Sequence, residues 1–410
     1  MLFIVRQDFK EPKVVEIPVG TEEIQEFVKK YLQEKQVRYW NEQDEQDYQN
    51  LFQQFVSPLV SKSPEGDLMT QENDIIWLVP HNFLHYLPLH ALKVKNRYLI
   101  DRNPICYTPS ASVMKYCHQK RKKRRDRALI FADSREDRLH TQVQGIAIEK
   151  LFNPDADIYI GKQVTKNLLK QKLRESKADI DILHIACHGE FNATEALNSG
   201  IMFAQSEKLT AEEIFSLDLN AYLVTLSACE SGINENKPGD ELIGLTRAFI
   251  YAGTPSVVVS LWSVEQISTS IFMSRFYQKL KGGVNKASAL QQAQLELQTM
   301  TAQDVIDYCT KAKESLLSNP GMIEGSLAER LLDAHIANTR FNIGDTKGAA
   351  LDYERLLAKA IPDTQEYEDL DNSLLDCEAV GLRSAPDAYQ TLVYNNVYYW
   401  AAFVLIGDWK

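Results

Sequence analysis

The sequence predicts an α/β protein with a doubly wound, mostly parallel sheet that carries helices on both faces. Two observations predict this fold. From Ala128 onward, short apolar runs alternate with helical segments, which is the pattern of parallel strands joined by right-handed helical crossovers. Several of these runs are apolar throughout and stop at Gly or Ser, as expected of strands that are buried on both faces.

Residues 1–127 predict a smaller α/β region. The alternating "LFIVR" and "KVVEIPV" predict a hairpin, and Thr21 is a suitable N-cap for a helix over residues 22–35. Next, "DIIWLVP" and "YLIDRNPICYTPSAS" predict strands on either side of "HNFLHYLPLHAL", whose prolines and polar residues suit a turn and a short helix. The basic run at 120–127 is read as a solvated connection, with a phosphate-binding patch as the alternative.

Residues 128–300 predict the main domain, in which strands and helices alternate. Its elements, in chain order, are the strand "ALIFADS", a helix over 144–151, the strand "ADIYIG", the helix "TKNLLKQKLRES", the strand "IDILHIACHG", the helix "TAEEIFSL", the strand "AYLVTLSA", the helix "GDELIGLTRAFIYAG", the strand "SVVVSLW" and a long helix that begins near Val264.

Residues 301–390 break this alternation and predict a helical insertion before the last strand. Within it, "AHIANTRFNIGDTKGAALDYERLLAKAIP" resembles one tetratricopeptide repeat in the offsets of its Ala, Gly-Asp, Tyr and Pro residues. At least about three repeats normally form a stable array, so a single copy predicts a helical hairpin that packs on the main domain. The apolar "YYWAAFVLIGDW", within residues 391–410, predicts a strand that returns to the sheet.

The composition excludes several classes of protein. A net charge of −11 argues against binding to nucleic acid or to an anionic membrane. No apolar run approaches the roughly 20 residues of a membrane-spanning helix, and the first residues do not resemble a secretion signal, so a cytoplasmic protein is expected. The six cysteines are scattered without paired C-x-x-C spacing, which favours free thiols over disulfides or a zinc site.

Cys229 and His188 each follow a predicted buried strand. Parallel sheets usually build their sites at the carboxyl ends of strands, and a nucleophilic thiol needs a base and an oxyanion site. If the two strands are neighbours, both side chains lie at one edge of the sheet, and the N–H groups of Gly189 and Cys229 could hold a developing oxyanion. The alternative reading of Cys229 is a buried, unreactive thiol.

Other chemistries fit these residues less well. His184 and His188 lie four residues apart, which on a strand is about 13 Å and too far to share a metal ion, so His184 is predicted to be a core residue. A phosphatase loop would need an arginine at position 235, which is Glu235. In papain-like enzymes the cysteine precedes the histidine, and other thiol hydrolases or acyltransferases of α/β type use a Gly-x-Cys-x-Gly turn that is missing here.

Ordered blocks along most of the chain resemble a known family. They are "LVPHNFLHYLPLHAL", "YTPSASV", "ILHIACHGEF", "LTAEEIFSLDL", "LVTLSACESG", "GDELIGLTRAFIYAGTPSVVVSLW", "FYQKL" and "YYWAAFVLIGDW". The sequence thereby resembles the CHAT peptidases, caspase-like cysteine proteases that often occur with tetratricopeptide repeats and are distantly related to separase. The resemblance implies a caspase-like sheet, a pseudo-caspase-like region at 1–127, a catalytic domain at 128–300, His188 as the base and Cys229 as the nucleophile.

The resemblance also indicates where substrate would bind. Acids at the rim of many caspase-like proteases select a basic residue before the scissile bond, and Asp133 follows the first central strand at that rim. Relatives often carry a further acid at the position of Gln266, and the adjacent Glu265 would point the other way in an extended segment. A buried guanidinium without a carboxylate is costly, so an uncharged residue before the cut is an alternative to arginine.

The leading hypothesis is therefore a cysteine endopeptidase that cleaves protein substrates through a thioester on Cys229 and needs no metal or organic cofactor. A protease that is always active would be harmful, so we expect control by a regulatory or activating protein partner, such as a CRISPR effector or a repeat protein, or by the loop at 230–238. The resemblance implies a defence or programmed-death pathway, in some systems tied to CRISPR. The rival hypothesis is a non-enzymatic interaction scaffold with a caspase-like fold.

Overall fold

The fold is described from a computed structural model that covers residues 1–62, 66, 68–121, 126–175, 180–190, 195–227, 240–317 and 327–410. The strands are β1 Leu2–Ile4, β2 Lys13–Val15, β3 Ile76–Leu78, β4 Lys93–Val94, β5 Arg97–Tyr98, β6 Ile105–Tyr107, β7 Ala128–Ala132, β8 Ala156–Ile160, β9 Ile182–Ala186, β10 His188–Glu190, β11 Gly200–Met202, β12 Lys208–Thr210, β13 Leu223–Leu226, β14 Ser256–Ser260 and β15 Phe403–Gly407.

Helices occur between the strands throughout the described chain. They are α1 Thr21–Phe27, α2 Glu42–Val56, α3 Leu99–Arg102, α4 Ala111–Gln119, α5 Leu139–Phe152, α6 Lys166–Glu175, α7 Ala211–Phe215, α8 Asp240–Tyr251, α9 Gln266–Lys281, α10 Lys286–Gln298, α11 Ala302–Leu317, α12 Leu327–Asn342, α13 Thr346–Leu357, α14 Gln365–Ala379 and α15 Val397–Trp400. A π-helical turn, Val28–Glu34, continues α1.

One eight-stranded sheet organises the chain, in the order β3-β6-β15-β14-β13-β9-β7-β8. Every neighbouring pair is parallel except β14 and β15, which are antiparallel. All residues of β7, β9, β13 and β14 are buried, because helices cover the sheet and leave these strands no solvent-facing side. The predicted fold class, a mostly parallel α/β sheet with helices on both faces, is confirmed.

The strand predicted from "IDILHIACHG" is two strands. It leaves the main sheet after Ala186, and His188–Glu190 forms β10, which pairs with β11 in a separate three-stranded antiparallel sheet. The sequence pattern did not show this change of partner, because β10 follows β9 with only Cys187 between them. The consequence is that His188 lies at the point where the chain turns away from the main sheet.

The helical insertion before the last strand is present as predicted. Helices α12 and α13 pack against each other across a turn at Gly344, which has φ 86°, a conformation that glycine adopts without steric cost. Ala337, Ala349 and Tyr353 belong to a small core that this hairpin shares with α14. Helix α12 of this hairpin and the preceding α11 both contact α5, so the hairpin packs against the main domain.

The apolar segment near the end of the described chain returns to the sheet as β15 and lies between β6 and β14. One continuous hydrophobic core extends from Ile4 to Leu405 and includes residues of both 1–127 and 128–300. The domain boundaries read from the sequence, at 127, 300 and 390, stay predictions. No helix in the described part of the chain is long and apolar enough to cross a membrane.

Candidate active site

The candidate site lies where β9 and β13 end. The two strands are parallel neighbours with Ile185 opposite Leu226, and the N–H of Ser227 donates to the Ile185 carbonyl at 2.9 Å. The adjacency on which the sequence-based site depends is therefore confirmed. His188 comes three residues after Ile185 in the chain, and Cys229 comes three residues after Leu226.

Cys229 lies outside the described residues, as does the loop at 230–238 to which the sequence assigned a control function. Residues 122–125 of the basic run at 120–127 are also outside them. Gly189 follows His188 in β10, opposite Ile201 of β11. The oxyanion donors expected from Gly189 and Cys229 stay predictions.

His188 is nearly buried, with 8% of its surface exposed. Its Nε2 lies 2.7 Å from Oδ1 of Asp137. A carboxylate only accepts hydrogen bonds, so Nε2 carries the hydrogen and donates it, and Nδ1 of the neutral ring is then the basic nitrogen. Nε of Arg138 lies 3.2 Å from Nδ1 and 3.0 Å from Nε2.

Burial lowers the pKa of His188 below its usual 6.5, because the neutral ring is favoured away from water. The hydrogen bond to Asp137 acts in the opposite direction, and the positive charges of Arg138 and Arg135 lower the pKa further. The net effect is a ring that is neutral at pH 7, which is the state that can accept a proton.

Asp133 holds the turn that presents Asp137 and Arg138 to His188. It has φ 50° and is 1% exposed. Its Oδ1 accepts from the backbone N–H groups of Asp137 and Arg138 at 2.9 and 2.8 Å, and its Oδ2 accepts from the Gln142 amide at 2.7 Å. The carboxylate therefore acts here as an internal anchor of the turn, and the substrate contact expected of it stays a prediction.

Glu265 and Gln266 lie at the start of α9, so the segment after β14 is not extended as far as Gln266. Glu265 is the N-cap residue, and its carboxylate accepts from the N–H groups of Ile267 and Ser268 at 2.9 and 2.7 Å. Strand alternation stops at this residue, so it does not decide which side chain faces a substrate. Gln266, the first helical residue, is exposed.

His140 is a further histidine near the site. It is 2% exposed, and burial lowers its pKa to about 3, with Arg138 acting in the same direction and a hydrogen bond that the ring donates to the Gln266 side chain opposing both. This links Gln266 to the neighbourhood of His188, whose charge also affects His140.

The sequence-based search missed Asp137, Arg138 and His140. All three belong to "FADSREDRLH", which follows the strand next to β9 in the sheet. Only Asp133 was predicted from this segment, because it follows the strand directly. The mixture of acids, arginines and a histidine immediately after a central strand would have indicated the other three residues.

His184 is a core residue, as predicted. It is fully buried, its Nδ1 lies 3.1 Å from the Tyr277 hydroxyl, and its Nε2 lies 3.4 Å from the Gln144 amide oxygen. Burial lowers its pKa to about 3. Within the described ranges, no group of three or more His, Cys, Asp or Glu side chains could hold a metal ion.

Cys187 precedes His188 directly, but its thiol is buried and therefore poorly reactive. Burial raises its pKa to about 12, and thiolate is the reactive form of cysteine. The other described cysteines, Cys106, Cys117, Cys309 and Cys377, are also buried free thiols.

Two curated proteins match part of this chain. The human and mouse proteins named tetratricopeptide repeat protein 28 are 36% and 35% identical over 94 residues, which is 23% of this chain and 4% of each relative. The match thus spans only about 4% of the length of these curated relatives.

Two solved structures are similar in fold. The separase–securin complex of Saccharomyces cerevisiae matches 53% of this chain and 14% of its own chain, with 16% identity and a TM-score of 0.38. The Arg-specific cysteine proteinase gingipain R (RgpB) matches 60% of this chain and 62% of its own, with 12% identity and a TM-score of 0.40.

The family model described as the CHAT domain matches residues 45–408. This range contains every strand of the eight-stranded sheet. It also contains His188 and Cys229. The family resemblance in the sequence is confirmed, and the chain belongs to the CHAT-domain family.

Proposed function

We propose that this protein is a cysteine endopeptidase that cleaves protein substrates with His188 and Cys229. The observation that supports this most directly is the pairing of β9 with β13, because it brings the two strands that precede these residues side by side. Membership of the CHAT-domain family, which resembles caspase-like peptidases in its motifs, supports the same function.

The reaction begins when the Cys229 sulfur attacks the scissile carbonyl and Nδ1 of His188 takes the thiol proton. The tetrahedral intermediate collapses, the C–N bond breaks, and the proton passes to the leaving amine. Water then hydrolyses the thioester, which releases the carboxylic acid and restores the thiol. The N–H groups of Gly189 and Cys229 are the proposed oxyanion donors.

Asp137 is the group that fits His188 for this task. Its carboxylate accepts from Nε2–H and so keeps the hydrogen on that nitrogen, which makes Nδ1 the proposed proton acceptor. Nδ1 here accepts from Nε–H of Arg138 at 3.2 Å, a contact that the thiol of Cys229 would replace. The lowered pKa of His188 keeps the ring neutral at pH 7. Asp137 does not touch the reacting atoms, so its proposed role is to position the base.

The assignment of the nucleophile is supported by what surrounds Cys187. That thiol is adjacent in sequence to the histidine, yet its burial raises its pKa to about 12. A thiol held in this way is almost entirely protonated at pH 7 and reacts slowly. Cys229, which follows the neighbouring strand, is the proposed nucleophile.

We propose that the substrate residue before the cut is uncharged. The carboxylate of Asp133 is occupied by three internal donors, and that of Glu265 by two. Gln266 is uncharged. An arginine at this position of the substrate would have to displace internal hydrogen bonds to find a carboxylate partner, which is costly.

Control of the enzyme and its setting are further parts of the proposal. We propose activation by a separate protein partner in a cytoplasmic defence or programmed-death pathway, including one linked to CRISPR. The support for this is the family resemblance together with the damage that an uncontrolled protease would cause. Strong proteolysis by the isolated chain would contradict the need for a partner.

The deciding experiment uses a peptide electrophile and a positional peptide library. Wild-type protein is expected to be alkylated and to cleave peptides, and Cys229→Ala and His188→Ala to lose cleavage. Cys187→Ala is the matched control, since it removes the thiol next to His188 and is expected to retain cleavage. If Cys229 is not labelled in any preparation, with or without candidate activators, the non-enzymatic scaffold is favoured. A preference for arginine before the cut would contradict the proposal of an uncharged residue there.

A further inference from the structure

The guanidinium of Arg138 lies against the ring of His188. Its Nε is 3.2 Å from Nδ1 and 3.0 Å from Nε2 of the imidazole. Because Nε2 already donates its hydrogen to Asp137, only Nδ1 has a lone pair that can accept from the Nε–H of Arg138. Nδ1 is also the atom that the proposed reaction needs as its proton acceptor. The base therefore lies in the structure with its acceptor nitrogen already occupied.

The turn that carries Arg138 is held by main-chain contacts and does not need its side chain. The backbone N–H groups of Asp137 and Arg138 donate to Oδ1 of Asp133 at 2.9 and 2.8 Å. The Arg138 carbonyl accepts from the Thr141 hydroxyl at 2.7 Å. The guanidinium can therefore change position while the turn, and with it Asp137, stays in place.

Little else retains the guanidinium of Arg138 at this position. The residue is partly exposed, and no carboxylate in the described ranges forms an ion pair with it. Its positive charge lowers the pKa of His188, because a guanidinium is more stable beside a neutral ring than beside an imidazolium. The side chain therefore favours the neutral histidine, and it can reach water without crossing the core.

We propose that Arg138 is an inhibitory residue, whose Nε–H blocks Nδ1 of His188 in the resting protein and whose side chain must move away before the peptidase can act. This inference rests on the proposed peptidase function and extends it to the regulation of the same site. A thiol and a guanidinium cannot both donate to one lone pair, so the proton of Cys229 has no acceptor until Arg138 leaves. Breaking one hydrogen bond from a charged donor slows the reaction about tenfold or more.

The first test reads the contact itself and does not depend on activity. In the full chain with Cys229→Ala, the nitrogen NMR resonance of Nδ1 of His188 reports whether this atom accepts a hydrogen bond. Arg138→Met keeps a long side chain and removes the donor, and we expect it to shift the resonance towards that of a free acceptor nitrogen. Arg135→Met is the matched control, because Arg135 is exposed on the same turn and affects His188 only through its charge. It should leave Nδ1 hydrogen-bonded.

The second test measures how fast a peptide electrophile labels Cys229 in the full chain without any partner, with the labelled residue identified by mass spectrometry. Arg138→Met is expected to be labelled about tenfold or more faster than wild type, and Arg135→Met at the wild-type rate. Arg138→Ala also lacks the donor, so it gives the same two readouts if methionine at this position disturbs folding.

The outcomes separate this inference from the peptidase function on which it rests. An unchanged Nδ1 resonance in Arg138→Met would overturn the inhibitory contact. Labelling of Cys229 in Arg138→Met at or below the wild-type rate would overturn the inhibitory role. If Cys229 is labelled in neither protein, with or without candidate activators, the peptidase function itself is overturned, and the inhibitory role with it.

Discussion

Two clusters of acidic and basic side chains lie at opposite edges of the sheet. The site cluster, Asp133, Asp137, Arg138 and His188, lies beyond the carboxyl end of β9. The Asp408 cluster, defined by Asp408, Arg121, His118 and Lys286, lies beside the start of β14, because Gly407 pairs with Ser256. Both clusters contain a carboxylate, an arginine and an imidazole, but Asp408 is fully buried whereas Asp137 is half exposed.

The carboxylate of the Asp408 cluster is enclosed. Asp408 and Lys286 are fully buried, Arg121 binds both carboxylate oxygens at 2.5 and 3.0 Å, and Nζ of Lys286 lies 3.7 Å from Oδ2. The side chains of Arg121 and His118 are 33% and 34% exposed. In the site cluster, half of the Asp137 side chain is exposed. Carboxylates with partners of the same kinds are therefore removed from water to very different degrees, which predicts different contributions to stability.

The largest expected difference between the clusters is in stability. Asp408→Asn removes the charge that balances Arg121 and the buried Lys286, and the free energy of unfolding should fall by about 3–5 kcal/mol. Asp137→Asn, in the open cluster, should change it by less than about 1 kcal/mol. Urea unfolding of the two variants measures both values, and equal losses would show that enclosure does not distinguish the clusters.

The second prediction concerns pH and the enclosed lysine. Burial lowers the pKa of Lys286 to about 7, with Asp408 opposing. Between about pH 7 and the pKa of the unfolded chain, near 10.5, the unfolded state binds a proton that the folded state does not, so stability rises with pH by at most about 1.4 kcal/mol per pH unit.

Lys286→Met should flatten this rise in urea unfolding curves recorded across that range. Lys279→Met is the control, because Lys279 is partly exposed and pairs with Glu296 at the surface. If Lys286→Met retains the wild-type slope, the buried amine is not the source of the pH dependence.

The third prediction separates positioning from stability in the site cluster, and it depends on the proposed peptidase activity. Asn at position 137 can donate to Nε2 of His188 and favour the wrong tautomer. Because the side chain is half exposed, we expect Asp137→Asn to reduce kcat/KM about tenfold, or about 1.4 kcal/mol. Glu136→Gln, one residue earlier on the same turn and facing Lys162, should retain full activity; equal activity of both variants would remove Asp137 from the mechanism.

The smallest effect is on the titration of His188 itself, measured by NMR in the Cys229→Ala background so that the thiol does not interfere. The pKa should lie below 6.5 because of burial. Asp137→Asn should lower it further and Arg138→Gln should raise it, since the two side chains act in opposite directions. Shifts of the same sign in both variants would contradict the contacts seen around the ring.

The sequence predicted the parts of the fold that depend on local pattern. The buried strands β7, β9, β13 and β14 are short apolar runs that end at small or polar residues, and the insertion is visible because its helices are polar and lack intervening strands. The position of His188 at the carboxyl edge followed from the general behaviour of parallel sheets. Whether β9 and β13 are neighbours was left open by the sequence, and the structure shows that they are.

The rest of the site depends on contacts that local pattern does not encode. The turn after β7 reads as an ordinary polar loop, yet Asp133 and Glu136 adopt positive φ and the turn brings Asp137 to a histidine 51 residues away. In this turn tertiary contacts outweighed the local preference. The helix predicted to begin near Val264 begins at Gln266 with Glu265 as its N-cap, so there the expectation of an extended segment at Gln266 was wrong for a local reason, the cap itself.

The position of β15 has a consequence for the order in which the protein can be made. This strand joins β6 to β14 in the middle of the sheet, so ribosomes must synthesise the seven other strands of this sheet before residues 403–407 can dock. Until then β6 and β14 have unpaired edges, which are prone to join with other chains. Pairing across such sequence separation is intrinsically slow, and we expect the nascent chain to depend on chaperones at this stage.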